Sequence, residues 1–315
     1  MNDLIDLCYI LPLKWTDDLD RDEMTSYLKR LSDAVAEVVV VDGSAPEHFS
    51  ANAAAWGPYV KHLAVDSDLS FKNGKVNGVV TGVRAAGFEK VVIADDDVRY
   101  EAGSLHRVAD LLEDADLVRP QNFFKSPMPW HATWDTARTL LNRSFWVDYP
   151  GTLAVRRSLF LAMGGYDGNV MFENLELIRT VARRGGREVA PLDLYVERRP
   201  PTTRLFFSQR VRQAYDDFAQ PRRMAVELSM LPAVALLARR RRVRAGVAAT
   251  GVVVATAEIG RRRAGGVKVF SPAASLLAPA WLLERGICIW LALYQRATGG
   301  VRYSGGKIPK AANPP

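Results

Sequence analysis

Cysteine is scarce in this chain: Cys8 and Cys288 are the only two in 315 residues, far apart and each in an apolar run. That excludes a disulfide framework and a cysteine-based metal site, and it fits a reduced, cytosol-facing domain. Glycine is missing from the stretch after the first apolar run, "ILPLKWTDD". A sugar nucleotidyltransferase needs a glycine-rich, basic phosphate loop there, so that class is disfavoured. The N-terminal "MNDLIDLCYI" has no basic region ahead of an apolar core, and no cleaved signal peptide is expected. Aromatics are absent from the basic runs Arg239–Arg242 and Arg261–Arg263, which are flanked by Ala, Val and Gly. A single-stranded nucleic-acid binder interleaves bases with aromatic rings, so no nucleic-acid partner is expected.

What is present is apolar and unevenly charged. Hydrophobic residues make up 48% of the chain, enough for one sizeable core or two units. Lys and Arg outnumber Asp and Glu by 42 to 35. The excess gathers in the last third, beside apolar segments, which points to anionic lipid.

The first half alternates between β-branched runs ("DLCYILPL", "EVVVVDGS", "VKHLAVD", "KVVIADDD") and stretches of helical periodicity ("DRDEMTSYLKRLSDAV", "GKVNGVVTGVRAAG", "SLHRVADLLEDA"). This pattern predicts an α/β sheet covered by helices. Ligands of such sheets bind beyond the carboxyl ends of the strands, where both "VVVVDGS" and "VVIADDD" place aspartates. Asp95, Asp96 and Asp97 stand together there. Adjacent carboxylates repel, and burial sharpens the cost, so something positive is expected between them.

From residue 121 to 223 the texture is different. "FFKSPMPWHATWDTARTLLNRSFWVDYPG" mixes Trp130, Trp134 and Trp146 with polar residues and has no clean alternation; it reads as a groove lining or a second small core. "FENLELIRTVARRGG" predicts a helix stopped by a glycine pair. From Met224 onward three apolar segments are separated by arginine-rich links. Two fall short of the ~20 residues that cross a bilayer, and the third carries Glu284 and Arg285. The expectation is helices lying in or re-entering the cytoplasmic interface. The final "PKAANPP" reads as disorder. The expected division is 1–223 for the α/β domain, 224–300 for the membrane-associating helices and 301–315 for the tail.

Over residues 4–223 the chain resembles family 2 glycosyltransferases of the GT-A fold, especially the membrane-associated branch that includes ceramide glucosyltransferase and cellulose synthase catalytic domains. "VVVVDGS" resembles the first aspartate motif, "KNGKVNG" the lysine–asparagine segment, "DDD" the D-x-D motif and "SQRVRQAYDD" the Q-x-x-R-W motif, with Gln213 where tryptophan is expected. "TGGVRYSGGKI" is weakly similar to a glycine-aromatic-glycine tail.

The resemblance implies a Rossmann-like mixed sheet flanked by helices, a nucleotide diphosphate sugar as donor and Mn²⁺ or Mg²⁺ as cofactor. Asp42, Lys75, Asn77, Asp95, Asp96, Gln209 and Arg212 would contact the donor, and Asp95 and Asp97 the metal. It further implies a lipid-linked or membrane-located acceptor on the cytoplasmic face. The family's catalytic base is an aspartate in an acidic motif after a Gly-Gly pair, here Gly164-Gly165. Asn174 stands at that position, and an amide cannot take a proton. Glu173 or Glu176 would then supply the carboxylate, with Asn174 as a helix N-cap; otherwise the domain binds its donor without turning it over.

Overall fold

A computed structural model describes residues 4–303 and 306–315. The chain begins with β1 (Ile5–Leu13), α1 (Arg21–Ser32), β2 (Val35–Asp42), α2 (Pro46–Trp56), β3 (Lys61–Ala64), α3 (Gly74–Ala85) and β4 (Lys90–Ala94). It continues through β5 (Val98–Arg99), α4 (Ala102–Leu111), β6 (Leu117–Val118), β7 (Gln121–Phe123), α5 (Trp130–Phe145), β8 (Thr152–Arg156), α6 (Arg157–Ala162), α7 (Glu173–Arg183), β9 (Glu188–Val189) and β10 (Tyr195–Arg198). The last third holds α8 (Thr203–Tyr215), α9 (Pro221–Arg239), α10 (Val243–Arg262), α11 (Pro272–Ala297), β11 (Val301–Tyr303) and β12 (Gly306–Ile308). Two compact units result: one of residues up to Pro120 with Tyr149–Val196, the other of Gln121–Asp148 with Glu197–Pro314. They interleave along the chain, since α5 and α8 fall in the second unit.

The first unit is built on a seven-stranded sheet of order β3-β2-β1-β4-β8-β6-β9. The β3-β2-β1-β4 half is parallel, and β8 runs antiparallel to both β4 and β6. Successive residues of a strand point to opposite faces, and both faces are apolar. Leu7, Tyr9 and Leu11 of β1 join one core with Met24 and Leu28 of α1 and Leu105 and Val108 of α4. Cys8 and Ile10 join the other with Val76, Val79 and Val83 of α3 and Leu177 of α7. Burial on both sides explains why these strands read as unbroken apolar runs rather than alternating ones.

Helix α3 lies unusually close to β1. A Cβ on Gly82 would sit 2.4 Å from Ile10 Cγ2, and one on Gly78 2.8 Å from Pro12 Cβ. The two glycines let the helix settle onto the sheet, which places its first turn, and Lys75, at the strand ends.

The second unit is helical. Arg143 of α5 is fully buried; it donates to Gln121 Oε1 (3.1 Å) and to the Arg263 carbonyl (3.0 Å), and lies over the Phe270 ring at 5.1 Å. Glu284, a charge that counted against a bilayer crossing by the third apolar segment, accepts from Trp134 Nε1 at 2.5 Å, and Arg285 lies 3.6 Å from Asp217. Both face other helices of their own unit, as ionisable groups in apolar helices must. The stretch Val243–Lys268 (mean hydropathy 1.3) and α11 (1.5), each of 26 residues, are long and apolar enough to cross a membrane. The middle segment is therefore longer than its sequence texture suggests. The C-terminal residues depart from the expected disorder: Pro309 O accepts from Tyr215 Oη at 2.6 Å, and Ile308 and Ala311 are buried. Apolar side chains at those two positions anchor a polar, proline-rich stretch. Ser304 and Gly305 of the tail motif lie outside the described residues.

Candidate active site

The parallel strands β2 and β4 end side by side with β1 between them, and their last residues lead into the two aspartate motifs. Asp42 closes β2. Its carboxylate is buried and saturated: Ser44 N donates at 2.8 Å, Asn52 Nδ2 at 2.8 Å and His62 Nε2 at 3.2 Å. Burial pushes its proton affinity up, but hydrogen bonds from His62, Asn52 and Ser44 outweigh that and hold it below the usual carboxylate range.

After β4, the three aspartates find different partners. Lys75 Nζ, on the first turn of α3, stands 2.6 Å from Asp95 Oδ1 and 2.7 Å from Glu173 Oε1, and donates to Asn174 Oδ1 at 3.3 Å. Of the three aspartates, this ammonium offsets Asp95. Asp96 accepts from Trp15 Nε1 at 2.8 Å, while the Trp15 backbone amide donates to Ser44 Oγ at 2.8 Å, so one residue ties the two aspartate loops together. Asp97 is half-buried in the same turn. Asp95 N donates to Gly151 O at 2.9 Å, and a Cβ on Gly151 would lie 2.7 Å from Asp95 Oδ2; the carboxylate rests on bare backbone.

Glu173 opens α7. Burial pushes its carboxyl up, Lys75 pulls it back, and Asp95 adds a further push; the net direction is upward. Its Oε2 is buried without a hydrogen bond. Burial favours neutral Lys75, yet Asp95 and Glu173 prevail and keep it firmly protonated. Asn174 is not the N-cap, as the sequence suggests. Phe172 holds that position without a side-chain cap, and Asn174 Nδ2 donates instead to Pro150 O at 3.0 Å. The amide thus braces the loop that carries Gly151. Glu176 is buried in the same helix, but its carboxylate takes Arg183 at 2.7 Å and is not part of the Lys75 group. Asn77 is engaged locally, bonding both the amide (3.0 Å) and the carbonyl (3.1 Å) of Phe71.

Gln209 and Arg212 lie on α8 in the second unit; Arg212 is over the Tyr303 ring at 5.7 Å. The buried arginine of that segment is Arg210, paired with Asp135 at 2.6 Å and bonded to Gln213 Oε1 at 2.8 Å. Sequence reasoning missed Trp15, Asn52, His62 and Arg210. Only Trp15 carries a signal, an aromatic directly after the first strand.

No cluster of three or more His, Cys, Asp or Glu side chains among the described residues is arranged to hold a metal ion. The oxygens of part-exposed Asp95 and Asp97 are hard donors suited to Mg²⁺ or Mn²⁺. They fit such an ion only where a bound diphosphate supplies most of the remaining ligands, and Asp95 Oδ2, packed on Gly151 away from the Lys75-bonded Oδ1, is the oxygen free of the ammonium.

No protein-family model and no curated protein sequence matches the chain. Among solved structures it is similar to the mannosyltransferase PcManGT from Pyrobaculum calidifontis in complex with GDP-Man and Mn²⁺, with 20% identity and a TM-score of 0.58 over 92% of this chain and 88% of that one. It is also similar to glucosyl-3-phosphoglycerate synthase from Mycobacterium tuberculosis, at 20% identity and TM-score 0.43 over 63% of this chain and 72% of that one. Mannosyl-3-phosphoglycerate synthase from Rubrobacter xylanophilus follows at 14% identity and TM-score 0.43, over 64% and 69%. The likeness is one of fold: a mixed α/β sheet flanked by helices, as in GT-A glycosyltransferases.

Proposed function

We propose that the chain is an inverting, metal-dependent glycosyltransferase that moves a hexose from a nucleotide diphosphate sugar to a lipid-linked or membrane-located acceptor. The observation that carries the reading is the meeting of Lys75, Asp95 and Glu173 at the strand ends, within 2.7 Å of one ammonium. Three separate sequence motifs converge there, where α/β sheets hold their ligands.

In this reading Glu173 is the general base. Its carboxyl is held high by burial, and its free Oε2 is the atom that accepts the acceptor's hydroxyl proton. Lys75 favours the ionised form of that carboxyl against the push of burial and Asp95, and offers its charge to the diphosphate when a donor binds. Asp95 and Asp97 would hold Mn²⁺ or Mg²⁺, which when bound stabilises charge on the leaving diphosphate. The GDP-Man and Mn²⁺ of PcManGT support a nucleotide-sugar donor; the sequence resemblance favours a UDP-linked one. The apolar second unit supports an acceptor at the membrane.

A second reading, a nucleotide-sugar-binding scaffold without turnover, is favoured by Asn174, which has the place of the base and a bracing role. One experiment separates the two. Detergent-solubilised protein with Mn²⁺ is offered UDP- and GDP-sugars and membrane lipid extract, and released nucleotide diphosphate is measured. Lipid-dependent release that is lost in Asp97→Ala and falls ~10²–10⁴-fold in Glu173→Gln supports the transferase. Donor binding without release across the panel favours the scaffold.

A further inference from the structure

The transfer chemistry uses Lys75 as a charge for the diphosphate, but that role does not account for how its ammonium is held. An ammonium has three N–H donors. Here they meet three acceptors: Asp95 Oδ1 at 2.6 Å, Glu173 Oε1 at 2.7 Å and Asn174 Oδ1 at 3.3 Å. A lysine kept only for a phosphate needs a donor turned outward. This one is closed off, with its side chain 15% exposed. Among the described residues it is also the only cation within 4 Å of Asp95 or of Glu173.

The parts around it differ in how firmly they are held. Asn73 caps α3, accepting from Lys75 N at 3.2 Å. It is tied in turn to a second segment: its amide donates to Gly168 O at 2.9 Å and its Nδ2 to Val170 O at 3.3 Å. With Gly78 and Gly82 seated on β1, the backbone of Lys75 is fixed. Asp95 is fixed by the bond from its amide to Gly151 O, and Asn174 by its bond to Pro150 O. What can move is the four-carbon stem of Lys75 and the ammonium at its end. The acceptors belong to rigid segments, the cation to a swinging arm.

That arrangement bears on the metal. Asp95 and Asp97 are the carboxylates that would hold Mn²⁺ or Mg²⁺, and Asp95 already carries a full positive charge at contact distance. A neighbouring charge shifts the affinity of a carboxylate for a proton by ~1–3 decades. A divalent ion, with twice the charge, is repelled at least as strongly. The described residues offer no cluster of three or more ligands to offset this. A diphosphate changes the balance, because its oxygens give the ammonium new acceptors and the ion further ligands. We propose that Lys75 gates the metal: it bars a free divalent ion from Asp95 and Asp97, and admits one only with a diphosphate that draws the ammonium away from Asp95. This gate rests on the donor reading above and adds to it an obligatory coupling between metal and nucleotide.

The test is Mn²⁺ binding by the detergent-solubilised full chain at neutral pH, read from the free-ion electron paramagnetic resonance signal, alone and with UDP or GDP. Because Lys75 also touches Glu173, every chain carries Glu173→Gln, so that no proton change at that carboxyl enters the comparison. Circular dichroism confirms the fold of each. Lys75→Met in this background is expected to bind Mn²⁺ alone ~10-fold or more tightly than its parent, a gain that misfolding cannot imitate and that adding Asp95→Ala should abolish. The tightening of Mn²⁺ by nucleotide should be large in the parent and ~10-fold or more smaller in the Lys75→Met chain. Unchanged affinity for Mn²⁺ alone, with nucleotide-dependent binding intact in the parent, would overturn the gate and leave the donor reading standing. No nucleotide effect on Mn²⁺ in any chain would overturn the donor reading, and the gate with it.

Discussion

Lys75 is the residue on which the candidate site turns, because it holds two carboxylates that would otherwise repel. Burial and Asp95 both push the Glu173 carboxyl up, and only Lys75 pulls it down. In Lys75→Met that pull is gone, so Glu173 keeps its proton to higher pH and the acid limb of the turnover profile moves up. At pH 7 the variant should be slow, with partial recovery at pH 9. Glu176→Gln, by contrast, breaks only the Arg183 pair and should leave that limb in place. A Lys75→Met profile superimposable on wild type would refute the role given to the ammonium. This much of the site is legible in sequence because its residues are carried by short local motifs at strand ends. Trp15, Asn52 and His62 are not, since each owes its position to long-range packing around Asp42 and Asp96.

At the scale of elements, the helix hardest to read is α5. Amphipathic helices announce themselves by apolar residues at helical spacing, but the buried positions of α5 include His131, Asp135, Thr136, Thr139 and Arg143. Each is buried because it has a partner: His131 with Pro201 O at 2.7 Å, Asp135 with Arg210, Thr139 with Asp148 at 2.6 Å. Pairing replaces apolarity as the reason for burial, so the periodic signal disappears. The strands and α3 were readable because their burial is apolar. Helix α10 crosses α5 at Gly260, where an added Cβ would lie 1.9 Å from the Leu140 carbonyl oxygen. Backbone cannot move aside as a side chain can. Gly260→Ala should therefore force the helices apart, loosen the Arg143 bonds to Gly260 and Arg263, and cost ~1–3 kcal/mol or more. The readout is a lowered melting temperature of the detergent-solubilised chain. Gly251→Ala in the same helix, where nothing lies within 4 Å, serves as the neutral control.

For the whole molecule, the excess of +7 is a statement about surfaces rather than fold. Arg239–Arg242 are exposed at the junction of α9 and α10, and the neighbouring helices expose Val243, Val247, Val252, Leu276, Ile287 and Leu291. Apolar residues facing outward beside arginines suit a membrane with an anionic surface. The two contributions separate experimentally, because salt screens one and not the other. Each arginine near an anionic surface contributes ~1 kcal/mol, so four contribute ~4 kcal/mol, or ~10³-fold in partitioning. Replacing Arg239–Arg242 by Gln should erase the preference for phosphatidylglycerol over phosphatidylcholine vesicles. If the apolar faces of α10 and α11 enter lipid as proposed, it should leave the chain vesicle-bound in 1 M NaCl, because salt does not screen that contact. Were the wild-type chain to stay soluble without detergent and indifferent to both kinds of vesicle, its apolar helices would have to cover one another, and the membrane-located acceptor would lose its support.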